Sequence, residues 1–141
     1  MGIAVRGLDG VKATLEKAAE QAHTETLAAL TRAGQRLVEI AKSTKQYQDQ
    51  TGNLTASIGY GVYSKGSEIS VGGFAGGEGE IMGRVQLAEV AARYNAYKYV
   101  LIIIAGMEYA VAVERRGYAV LDGALLESNS VVREELSSIR L

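Results

Sequence analysis

The chain predicts an α+β domain: a long N-terminal helix packed on a mostly antiparallel β-sheet, with a C-terminal helix. Three observations carry that prediction. Apolar residues recur at Val11, Leu15, Ala18, Ala22, Ala29, Ala33, Leu37 and Ile40, spaced to share one face of a helix. Leu54, Ala56, Ile58, Tyr60 and Val62 then alternate with small or polar residues, the period of a half-buried strand. Helical and strand patterns come in blocks rather than in strict β-α-β alternation, which favours an antiparallel sheet.

Each element follows from local chemistry. Asp9, preceded by Leu8, reads as the N-cap of the first helix. The stripe continues to residue 43, and thirty-odd residues at ~1.5 Å each give roughly 50 Å. That is longer than the domain's own sheet needs, so part of the helix is expected to protrude or to pack on a neighbour. Gly34 is a soft spot of about 1 kcal/mol against Ala, which leaves room for a bend but no break. Residues 43–50 are polar and read as a loop. A strand over residues 54–62 follows, then a turn at Ser64-Lys65-Gly66-Ser67, then a second arm carrying Ile69 and Val71. The Gly-rich stretch 72–79 leads to a helix over residues 81–94, marked by Met82, Val85, Ala88 and Ala92. Residues 99–105 do not alternate and read as a strand buried on both faces. Residues 107–116 read as a short helix closed by Gly117, although Val111 and Val113 also suit a strand. A short strand at residues 119–121 precedes a last helix capped by Asp122, with a stripe at Leu125, Asn129, Val132, Leu136 and Ile139.

Composition narrows the function classes. The 141 residues suit one domain, and 48% apolar content builds a real core. With 15 basic and 16 acidic residues there is no basic excess of the kind that a stand-alone nucleic-acid binder carries. No apolar run reaches the ~18 residues of a membrane span, and the N-terminus lacks the order of a signal peptide. The absence of Cys excludes disulfides and thiolate chemistry, and with 1 His no multi-histidine metal site exists. Tyr accounts for 8 aromatic residues against 1 Phe. Its apolar body and polar tip suit surfaces buried by association.

Candidate chemistry is weak throughout. Residues 72–79 sit between a strand and a helix, as a phosphate loop would, and a small-molecule or phosphate-handling enzyme is the alternative reading. The Gly-Lys-Ser/Thr ending is missing, however, and Glu78 and Glu80 at the exit would repel phosphate. His23 has no nucleophile elbow and reads as a surface or interface histidine. The pairs Glu78/Glu80 and Glu134/Glu135 read as charged helix faces. No catalytic, cofactor or metal site is expected. Glu114 has two open readings: a solvated carboxylate pairing with Arg115, Arg116 or Lys98, or a structural carboxylate accepting backbone or subunit hydrogen bonds.

Two phrases carry more information. Thr51-Gly52-Asn53-Leu54-Thr55-Ala56-Ser57-Ile58 follows the long helix, and Glu108-Tyr109-Ala110-Val111-Ala112-Val113-Glu114 follows the β-rich middle. In that setting the chain resembles the neck, or tail-completion, proteins of long-tailed bacteriophages. The matching positions are Thr51, Gly52, Leu54, Ser57 and Ile58, then Tyr109, Ala110, Val113 and Glu114. Two departures stand out: Arg115-Arg116-Gly117 replaces the family's Gly-Thr, and no proline enters the last helix. Residues 74–98 look like an inserted arm touching an adjacent subunit, with Met82, Val85, Tyr94 and Tyr97 as candidate subunit contacts. The resemblance implies a structural virion protein joining head to tail, as completion factor or tail terminator. It implies a homo-oligomeric ring, most simply a hexamer, assembled in the host cytoplasm. Its partners would be the head connector or stopper and the tail tube or terminator. Genome DNA would pass through the lumen without sequence-specific binding.

Overall fold

The computed structural model describes residues 2–43, 53–106, 108–115, 118–123 and 128–138. Helix α1 (Gly2–Ser43) runs unbroken for 42 residues, about 63 Å. It passes straight through Asp9, so the helix starts earlier than the expected cap. A one-turn helix α2 (Asn53–Ala56) leads into β1 (Gly59–Ser64) and β2 (Ser67–Gly72). Helix α3 (Gly77–Arg93), strands β3 (Val100–Ala105), β4 (Glu108–Arg115) and β5 (Tyr118–Gly123), and helix α4 (Ser128–Ser137) complete the order.

The sheet order is β2-β1-β3-β4-β5, and every neighbouring pair is antiparallel. The α+β expectation therefore holds. The β1–β2 hairpin turns through Lys65 and Gly66, both with positive φ, and its register shifts by a bulge after Val62.

The sheet is covered on both faces. Leu101 and Ile103 of β3 and Tyr60 and Val62 of β1 pack under Leu30, Ala33, Leu37 and Val38 of α1, with Val131 and Val132 of α4 beside them. Val100, Ile102 and Ile104 point the other way and meet Leu87 and Val90 of α3, together with Val111 and Val113. This explains why the apolar run at β3 does not alternate.

Several local expectations are corrected by this packing. Residues 54–56 form a helical turn, not strand: Ile58 N donates to Thr55 O, and Ser57 Oγ donates to Leu54 O at 2.7 Å. Residues 108–115 form β4, not a helix, because they lie between β3 and β5 and pair with both. Asp122 lies within β5, paired with Val111, rather than at the head of α4. Helix α1 continues unbroken through Gly34. A Cβ there would stand 2.7 Å from Cδ2 of Tyr60, so the glycine makes room for the buried tyrosine ring against the helix. Within residues 74–98, Leu87 and Val90 of α3 are core residues, which leaves the outer side of α3 as the part able to touch an adjacent subunit.

Candidate functional site

The two sequence phrases converge at one end of the sheet. Gly59, just after the first phrase, pairs with Ile104, which pairs in turn with Tyr109 of the second. Leu54 packs over Gly106 in the β3–β4 turn. Ile58, Ala110 and Val113 are buried, and Ser57 closes the turn of α2. The Tyr109 hydroxyl accepts a 3.0 Å hydrogen bond from Arg93 Nη1. These side chains hold the fold together at a seam between α2, β3, β4 and α3. Thr51 and Gly52 lie outside the described residues, as does the Glu114 side chain; the Glu114 backbone pairs with Ala119.

Surfaces that remain free lie elsewhere. Over residues 10–20 every side chain of α1 is exposed, and from residue 10 onward the first buried one is Thr26. Val11 and Leu15 are 56% and 64% exposed. They continue the face that buries Ala29 and Ala33 farther along, so the apolar stripe outruns the sheet that it covers. The expected protrusion is present.

The second free surface is the outer side of α3. Ile81, Met82 and Val85 are all more than half exposed, while Gly79, Gly83, Leu87 and Val90 face inward. The helix is seated by a ring-in-slot contact. Phe74 fills the space that Cβ atoms on Gly59 and Gly83 would occupy, each 2.5 Å from its ring. The Arg84 guanidinium lies 5.4 Å above that ring and bonds Glu80 at 2.8 Å. Tyr94 and Tyr97 pack partly buried on the same core, 5.9 Å apart, and Tyr97 O accepts from Lys65 N. Of the four candidate contacts, Met82 and Val85 are thus presented outward, whereas Tyr94 and Tyr97 brace the chain's own hairpin. Sequence reading passed over Ile81, the most exposed large apolar residue of α3; its place one helical turn before Val85 was the available signal.

Glu80, His23, Glu134 and Glu135 each have a structural partner. Glu80 Oε1 accepts from the Gly76 backbone N–H at 3.0 Å, so the start of α3 is capped by its own carboxylate. The Arg84 hydrogen bond, foremost, keeps Glu80 ionised below the usual carboxylate range. A phosphate would have to displace that carboxylate, which argues against the phosphate-loop alternative. His23 Nδ1 lies 2.9 Å from the Tyr99 hydroxyl. Glu135 bonds Arg32 at 3.1 Å and Arg36 at 3.0 Å, and Glu134 also meets Arg36. The carboxylate pair thus clamps α4 to α1, and the arginine hydrogen bonds, Arg36 first, lower the Glu135 pKa. Among the described residues no helix is long and apolar enough to cross a membrane.

Residues 9–115 match the family model described as "Bacteriophage HK97-gp10, putative tail-component". No curated protein and no solved structure matches the chain. A match over well over half of the chain settles the family: the chain belongs to the HK97-gp10-like phage tail-component family.

Proposed function

We propose that this tail component acts at the neck, as a tail-completion or tail-terminator protein that joins the head connector to the tail by forming a ring. The observation that carries the reading is the apolar stripe of α1 running beyond the domain's own core, in a chain of a phage structural family. Exposed apolar side chains in such a row favour burial against another subunit. A heterologous contact between such subunits closes a ring when the rotation per copy is right, and a hexamer would match the symmetry of a tail tube. One rim of the ring would meet the connector or stopper and the other the tail tube, with genome DNA passing through the lumen. The near-balanced charge suits protein contacts and loose passage of DNA over tight binding. The protein works by assembly in the host cytoplasm and ends in the virion, without turnover of a substrate.

A phage carrying a stop codon in this gene tests the reading. The expected yield is filled heads and separate tails, with few joined particles by electron microscopy. Joined, infectious particles at normal titre would overturn it.

A further inference from the structure

We propose that the protruding part of α1 in one protomer docks antiparallel on the outer face of α3 in the next, and that this pairing is the repeating subunit contact. The proposal deepens the ring reading, but its evidence is the pairing of the two helices.

The two free stripes have the same spacing and the same gradient of size. On α1 the row is Val11, Leu15, Ala18 and Ala22; on α3 it is Ile81, Val85, Ala88 and Ala92. Each steps by four, three and four residues, the spacing of a coiled-coil seam. All are exposed except Ala22, which is partly buried. Each row starts with two large side chains and ends with two alanines. Laid parallel, large residues would meet large and alanine would meet alanine, giving crowding at one end and voids at the other. Laid antiparallel, Val11 faces Ala92, Leu15 faces Ala88, Ala18 faces Val85 and Ala22 faces Ile81. Large then meets small at every level, the arrangement that fills space between helices.

The flanking charges choose the same direction. Lys12 borders the α1 row and Glu89 borders the α3 row, both exposed. Antiparallel docking brings these opposite charges to the same end of the seam. Gln21, at the other end, comes beside Arg84, so no like charges face each other there.

The contact cannot form within one protomer. α1 covers the sheet face of Leu101 and Ile103, and α3 covers the opposite face of Ile102 and Ile104. Two different patches that complete each other only between copies form a heterologous interface, which propagates from copy to copy.

Because the chain has 0 Cys, cross-linking can be placed at will. The full-length double variant Leu15→Cys/Ala88→Cys, oxidised with copper phenanthroline at high protein concentration, should give a ladder of dimers, trimers and larger species. An equimolar mixture of the two single variants should stop at dimers. Each single variant alone should remain monomeric on a denaturing gel. Circular dichroism like that of the parent chain confirms folding, as both sites are on the surface. Adding Lys12→Glu should weaken the ladder several-fold, and adding Glu89→Lys as well should restore it. Cross-linking by Leu15→Cys alone would indicate an α1–α1 contact and overturn the proposal, as would an α3–α3 product from Ala88→Cys alone. Absence of product in both the double variant and the mixture would overturn it too, as would a ladder indifferent to Lys12→Glu. These readings come from purified protein and the neck assignment is read on phage particles, so either can fail without the other.

Discussion

At the scale of single residues, glycine does more here by what it lacks than by the turns it permits. Tyr60 is wedged between Gly34 on α1 and Gly72 on β2, where added Cβ atoms would stand 2.7 and 2.9 Å from its ring. Two effects oppose each other on replacing Gly34 with alanine. Helix propensity favours Ala by about 1 kcal/mol, whereas overpacking a filled site costs roughly 1–3 kcal/mol. The ring is buried and held from both sides, so it cannot swing away, and overpacking should win. Gly34→Ala is expected to destabilise the domain by about 1 kcal/mol in urea titration, the reverse of the usual sign for an exposed helical site. A stabilised variant would show that the ring is free to move. Nothing in the sequence marked Gly34 as a packing site, because its neighbour Tyr60 is distant in sequence. Propensity alone read it as a weak point.

At the scale of elements, the strongest clue was periodicity and the weakest was propensity. The stripe of α1 and the unbroken apolar run of β3 were legible because each reports its own burial. The region around Glu108 and Arg115 was not. Its Glu, Ala and Arg residues favour helix in isolation, yet Val111 and Val113 fill a core that forms only once β3 and β5 flank them. Likewise Leu54, Ala56 and Ile58 alternate like a strand, although the first two lie in the turn of α2. The candidate site was half legible. Helix length foretold the overhang, while the inner role of Tyr94 and Tyr97 depended on the fold. The α1–α4 clamp gives a prediction at this scale. Glu135 is held below its ordinary value of 4.5 by Arg36 and then Arg32. A depressed folded pKa contributes stability that is present above the unfolded value and lost as pH falls through the folded one. Stability should therefore decline on acidification below about pH 4.5, and Glu135→Gln should flatten that limb. Urea midpoints measured across the acid range check this; an acid limb unchanged in the variant would remove the clamp from the account.

For the whole molecule, the division is between a three-layer body and a helix that outreaches it. The body owes its stability to two clusters on opposite faces of the sheet, and among the described residues neither contains one before Leu27. Removing residues 1–21 should therefore leave the melting temperature within a few degrees of the parent while abolishing self-association in analytical ultracentrifugation. A collapse of the melting temperature would mean that the protruding turns support the fold itself.

The bulge after Val62 has a consequence for the time before assembly. A protein that assembles with copies of itself, as proposed above, must not pair with them wrongly beforehand. Its sheet ends on one side at β2, an outer strand whose free backbone groups could pair with any other strand. The bulge twists that margin, Glu68 puts an exposed charge on it, and only 6 residues form it. Each feature makes strand-to-strand stacking less favourable. This edge is thereby guarded against amyloid-like growth, which would leave the proposed helix pairing as the route to ordered growth.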